Sequence, residues 1–189
     1  MLKELVRKNR SYRRFYEDVP VSREVLLELV DHARLSPSGA NRQALKYVLA
    51  SDKELNDRIF PTLGWAAYLP DWPGPAPGER PAAYIVMLED KTINLAAVAD
   101  IGIAAQTIML AAVERGLGGC MIANIQRKAL KEVLALDDHL EIVLVLALGR
   151  PKEEVVIDEV GPGGDIKYWR DERQVHHVPK RKLAEIIIS

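Results

Sequence analysis

Between Asn94 and Val113 the chain carries a single charge, Asp100. A stretch of that length and polarity belongs either in a bilayer or inside a protein. Small residues dominate it (Ala96, Ala97, Ala99, Gly102, Ala104, Ala105), and Asp100 and Gln106 lie within it. This pattern fits a helix over 93–115 packed against protein on all sides better than a membrane span. Gly116 and Gly118 follow as stop signals.

The remaining segments are arranged around that helix. Residues 2–9 read as a short helix with Leu2, Leu5 and Val6 on one face. Ser22 can cap a helix to about Leu35, with Val25, Leu26, Leu29, Val30 and Ala33 at helical spacing. Residues 47–50 are strand-like, and Ser51 with Glu54 predicts a capping box for a helix through about Phe60. Residues 82–88 and 120–122 read as strands, and 126–136 as an amphipathic helix. The run 142–148 is almost wholly apolar, as a central strand is. Helices and strands come in mixed order without strict βαβ alternation, which predicts an α+β or mixed α/β class with one domain over 1–189. No G-x-G-x-x-G follows a strand, and no Walker A sequence occurs.

Two stretches stand apart. Residues 61–80 hold five prolines and three glycines together with Trp65, Tyr68 and Trp72, and read as a surface excursion of the kind that often carries function. Residues 165–189 read as a C-terminal arm, in which 166–169 and 174–178 flank a charged turn. Three isoleucines at 186–188 close the chain. An end that apolar is expected to bury against other protein, a second subunit being one candidate.

Net charge is −1, so no overall field points to nucleic acid or an anionic membrane. Local charge is uneven. Residues 1–14 carry Lys3, Arg7, Lys8, Arg10, Arg13 and Arg14 against Glu4 alone, and Lys180, Arg181 and Lys182 stand together near the other end. The single cysteine, Cys120, allows no intrachain disulfide and fits a reducing, cytoplasmic setting. It sits in an apolar run and reads as a buried, inert thiol. His32, His139, His176 and His177 have no metal-ligand spacing, so no metal is expected. No G-x-S-x-G elbow is present.

Four segments offer binding chemistry, and taken singly each reads first as ordinary structure. Arg10-Ser11-Tyr12-Arg13 suits a phosphate, with forked donors around a hydroxyl, but it is also a plain basic helix end. Pro37-Ser38-Gly39-Ala40-Asn41-Arg42-Gln43 lets backbone approach a ligand and adds two amides suited to a heteroaromatic edge; it is equally a helix-to-strand turn. Gly116-Leu117-Gly118-Gly119 is first a helix C-cap. The basic triplet at 180–182 is either a solvated patch or an arm completing an anion site.

Together these segments resemble the nitroreductase family, in the right order and over nearly the whole chain. The resemblance rests on Arg10-Ser11-Tyr12-Arg13-Arg14-Phe15, on the P-S-x-x-N-x-Q loop from Pro37 to Gln43, and on the aspartate-led alanine-rich helix from Asp100 into Gly116-Leu117-Gly118. It extends through the strand ending in Gly149-Arg150-Pro151 and the basic C-terminal end. The excursion and the arm are similar to those of a short-chain subgroup. Two departures stand out. Asn9 takes a place where many relatives carry a second basic residue, and Ala44-Leu45 replaces a common Pro-Trp.

The resemblance implies an α+β fold, a sheet flanked by helices, in an intertwined homodimer with FMN at each of two interface sites. It implies Arg10 and Ser11 on the phosphate and ribityl chain, and Arg13 at the N1/O2 edge of the flavin. Pro37, Ser38, Gly39, Asn41 and Gln43 would line the site, reaching it from the other subunit. Ile122, Ala123 and Asn124 would lie by the ring, and Arg181 and Lys182 would return to the phosphate, with the register of the basic triplet open by one residue. Trp65, Tyr68 and Trp72 are candidates for an acceptor pocket or for a packed loop core. The implied activity is ping-pong transfer of electrons from NADH or NADPH through FMN to a nitroaromatic, quinone or similar small oxidant, with no catalytic side chain in the usual sense. The alternatives are a non-catalytic flavin-binding or sensing protein, and another redox reaction such as flavin reduction, dehydrogenation or dehalogenation.

Overall fold

The computed structural model describes residues 1–93, 98–161 and 163–188. The fold is organised by a strand, β3 (Ala83–Asp90), that is buried at nearly every position. Its side chains alternate between two apolar clusters. Ala83, Ile85 and Met87 pack with Leu26 and Leu29 of helix α2 (Arg23–Arg34) and with Ala105, Ile108 and Met109 of helix α4 (Val98–Glu114). Tyr84, Val86 and Leu88 pack on the other face with Ile59 of helix α3 (Lys53–Ile59) and Leu130 of helix α5 (Arg127–Val133). A sheet covered on both faces explains the unbroken apolar run.

The neighbours of β3 are β2 (Leu45–Ala50) and β5 (Leu140–Pro151), both antiparallel to it. Strand β5 also carries the short β1 (Phe15–Tyr16) and β4 (Gly118–Ile122), so the apolar run at 142–148 is central, as expected. A second sheet is built by the C-terminal arm. There β6 (Val155–Glu159) runs parallel to β8 (His176–Lys180), and β7 (Trp169–Arg170) folds back on β8 as a hairpin around the charged turn. Helix α1 (Leu2–Lys8) opens the chain, and α6 (Leu183–Ile186) lies near its end.

Three expectations need correction. The cap of α3 is Asp52, whose carboxylate accepts from Leu55 N at 2.8 Å, one residue later than Ser51. Helix α4 is not covered on all sides. The sheet and α2 take one face, while Val98, Ala99, Gly102, Ile103 and Gln106 are exposed; its expected first turn, 94–97, lies outside the described residues. The glycines after α4 do two different jobs. Gly116 (φ +72°) closes the helix: its N–H donates to Val113 O at 3.0 Å, and Leu117 N donates to Ala112 O at 2.9 Å. Gly118 and Gly119 belong instead to β4.

The excursion at 61–80 is held by its own aromatics. Trp65 lies 5.8 Å from Phe60, and a Cβ on Gly74 would fall 2.7 Å from the Trp65 ring. Among the described residues, no helix is long and apolar enough to cross a membrane.

Candidate functional site

Helix α1 ends at Asn9, and the chain then runs extended beside β4. Ser11 bridges Gly119, and Tyr12 N donates to Gly119 O at 2.9 Å. That approach explains the paired glycines. A Cβ on Gly118 would lie 2.5 Å from the Tyr12 ring, and one on Gly119 would lie 2.4 Å from Ala147 O. Sequence reasoning assigned this pair to the helix cap and missed the close approach, because spacing alone does not distinguish the two.

The adjacent arginines face different surroundings. Arg14 makes a two-pronged pair with Glu79, at 2.6 and 2.7 Å, and Lys152 joins it at 3.1 Å. These hold the Glu79 carboxyl down at about 2. Arg13 is buried: its Nη1 donates to Ser11 O at 3.1 Å and lies 3.2 Å from His176 Nε2, and the Tyr168 ring covers its guanidinium at 4.6 Å.

Arg13 lines a cleft of about 290 Å³ together with Arg10, Ser11, Met121, His176 and Lys180. Three side chains there are cations, and among the described residues no carboxylate lines the cleft. Arg10 Nη2 donates to Val6 O at 2.8 Å, while its buried Nε has no partner. Asn9 is there too, donating to Gln106 Oε1 of α4 at 3.2 Å. A cradle of cations and a hydroxyl with an orphaned guanidinium N–H fits a phosphate-bearing ligand.

His176 is wholly buried, and burial first, then Arg13 and Arg170, lower its pKa to about 4. Cys120 is buried, as expected, and burial raises its thiol.

The 37–43 loop forms a second half-site across α4, in a pocket with Asp100 and Ala104. Ser38 Oγ donates to Asp100 at 2.7 Å and receives Gln43 N at 3.0 Å, and Gly39 N donates to Asp100 at 3.0 and 3.1 Å. The Gly39 amide, then Ser38, hold the Asp100 carboxyl below the usual range. Ala40, Asn41 and Gln43 are all left-handed, at φ of 51°, 53° and 53°. Strain of this kind persists where surroundings over-determine the backbone, and it concentrates at functional sites.

The structure thus brings Arg10, Ser11 and Arg13 together, and places Pro37, Ser38 and Gln43 in a separate pocket of the same chain. Asn41 belongs to the same loop, and Gln43 Nε2 donates to its carbonyl at 3.2 Å. Ile122 is buried in the second core cluster, while Ala123 and Asn124 follow it as exposed residues. Asn124 O accepts from Gly64 N at 2.9 Å. Of the basic triplet, Lys180 reaches the cleft; Arg181 faces Glu185 at 4.0 Å and Lys182 faces Glu159 at 3.7 Å. The excursion meets the arm: Tyr68 N donates to Tyr168 Oη at 3.3 Å, and Arg170 lies over Trp72 at 4.3 Å. Trp65 packs inward on Phe60 instead. Tyr168, His176 and Gln106 line the cleft without having been singled out, because their nearness to Arg13 depends on how the arm folds back.

A second cleft, about 400 Å³, lies beside α3. Glu17, Asp18 and Asp57 offset Lys53 and Arg80 along its wall, so it offers an anion no comparable field.

Comparison with known proteins gives a consistent picture. The model of the nitroreductase family matches residues 6–150. A protein of Archaeoglobus fulgidus, named as a candidate NADH dehydrogenase/NAD(P)H nitroreductase, is 27% identical over 148 residues, covering 75% of this chain and 80% of its own. The Cr(VI) reductase of a Pseudomonas strain is 26% identical over 163 residues, covering 80% and 67%. Among solved structures, the FMN-dependent nitroreductase of Clostridium difficile R20291 superposes with a TM-score of 0.65 at 26% identity, over 79% of this chain and 87% of that one.

Proposed function

This chain belongs to the nitroreductase family, and from that premise we propose that it is an FMN-dependent oxidoreductase that passes electrons from NADH or NADPH to a small oxidant. The observation that carries the reading is the cleft of three cations and Ser11, free of carboxylates among the described residues, at the end of α1. Bound FMN would supply the hydride and electron chemistry that no side chain here can perform.

The chain's own residues bind and orient. Arg10, Ser11 and Lys180 hold the phosphate end. Arg13, held by Ser11 O and the Tyr168 ring, would offer a fixed positive charge to the flavin when FMN is bound. Ile122, Ala123 and Asn124 follow Met121, which lines the cleft, and would lie by the ring. Arg181 and Lys182 stand one and two residues past the position that reaches the cleft, so Lys180 takes the role that the resemblance assigns to the triplet.

The second half of the site comes from a second copy of this chain, through the 37–43 loop. The open face of α4 supports this. Among the described residues nothing lies within 4 Å of a notional Cβ on Gly102, so its smallness answers no need among them. The exposed Leu183, Ile186, Ile187 and Ile188 need cover for the same reason.

The test is steady-state kinetics on the FMN-loaded protein with a nitroaromatic, a quinone and chromate as acceptors. Parallel double-reciprocal lines with at least one acceptor support a ping-pong reductase. Intersecting lines with every acceptor would refute the ping-pong scheme, and retained FMN without nicotinamide oxidation would favour a flavin-binding protein.

A further inference from the structure

The arm that closes the cleft is fixed by contacts other than those of the Arg13 side chain. His176 N donates to Glu154 O at 2.9 Å, and the parallel register on β6 sets Val155 opposite His176. Across the hairpin turn, Val175 N donates to Asp171 Oδ1 at 2.8 Å. Buried Glu153 ties the arm to the N-terminal segment. It accepts from Arg13 N and, at 3.0 Å, from Arg170 Nη2. The His176 ring arrives on this frame fully buried, 3.2 Å from Arg13 Nη1 and 5.1 Å from the Tyr168 ring.

Arginine only donates hydrogen bonds. His176 Nε2 must therefore accept, which places its proton on Nδ1 and keeps the ring neutral. The charged and titratable groups around it agree: Arg13 from the N-terminal segment, Arg170 on β7 and His177 on β8 all oppose a second positive charge. The two protons of Arg13 Nη1 are then spoken for by Ser11 O and His176 Nε2. Its Nη2 has no partner among the described residues.

We propose that His176 is a positioning residue, pinning the Nη1 edge of Arg13 so that the Nη2 edge is held toward the N1/O2 side of a bound flavin. The proposal rests on the FMN reading above. A cation fixed before reduction stabilises the charge that reduction creates, with no reorganisation at that moment. The arm thereby sets how readily the cofactor accepts electrons.

The test is the two-electron midpoint potential of bound FMN, measured by equilibration with a reference dye, in wild type, His176→Leu and His176→Gln. Leucine removes the acceptor, while the glutamine amide oxygen reaches roughly where Nε2 lies. The expected result is a roughly tenfold less favourable reduction in the leucine variant, about 30 mV lower, with glutamine within about threefold of wild type. A leucine variant at the wild-type potential, or a glutamine variant as impaired as leucine, would overturn the proposal. A wild-type chain that holds no FMN would overturn the reading beneath it instead, and this inference with it. Should the leucine variant not fold, nitrogen-15 NMR of histidine in the wild-type protein decides. A neutral ring protonated on Nδ1 supports the proposal, and one protonated on Nε2 contradicts it.

Discussion

Ser38 Oγ donates to Asp100 Oδ2 at 2.7 Å, joining the left-handed loop to the helix that most constrains the fold. With both Gly39 N contacts, Asp100 fixes the whole turn. Asp100→Ala leaves these donors without their charged acceptor. We expect FMN to bind at least about tenfold more weakly, the worth of one charge-assisted hydrogen bond, with the helical content retained. A fluorescence titration measures it, and wild-type affinity would detach this loop from the cofactor site.

Gly119→Ala drives a methyl group to 2.4 Å from Ala147 O, a backbone atom with no room to yield. The expected cost is about 1–3 kcal/mol, read from urea unfolding. Gly102→Ala on the open face of α4 meets nothing among the described residues. It should leave the monomer's fold intact and weaken self-association, which sedimentation measures.

Glu79 gives the acid limb of stability. Its carboxyl sits at about 2, chiefly through Arg14 and then Lys152, against an ordinary 4.5. The unfolded chain therefore takes up that proton first as pH falls. The stabilisation is complete above about pH 4.5 and lost on the way down to about pH 2. Glu79→Gln should lower stability at pH 7 by about 1 kcal/mol and flatten the slope between those limits. An unchanged slope would show that other carboxylates carry it.

His176 acts in a higher window. Its folded pKa of about 4 lies below the ordinary 6.5, so the unfolded chain protonates first as pH drops. Its contribution is complete above about pH 6.5 and falls away toward pH 4. His176→Gln should make the unfolding midpoint flatter across that range than in wild type. The same fall in both proteins would assign it elsewhere.

Local pattern made the elements legible, and closure of the chain in space did not. The apolar run at 142–148, the Ser22 cap and the charged turn of the arm could be read because each depends on neighbours in sequence. Asp100 could be read as a polar residue in an apolar helix, though its partners, Ser38 and Gly39, are revealed only by the fold. Gly118 and Gly119 were hidden behind the stronger signal of Gly116. Tyr168 and His176 were hidden because nothing in the sequence states that the arm returns to Arg13. The one-residue choice within 180–182 depends on the β8 register, which the parallel pairing with β6 fixes.

The most direct test is the visible spectrum of the protein loaded with FMN, followed through anaerobic addition of NADH and then NADPH. An FMN-dependent reductase shows protein-bound flavin absorbing near ~450 nm that bleaches with at least one donor. A protein that binds no FMN when incubated with it, or whose flavin band persists with both donors, would contradict the reading.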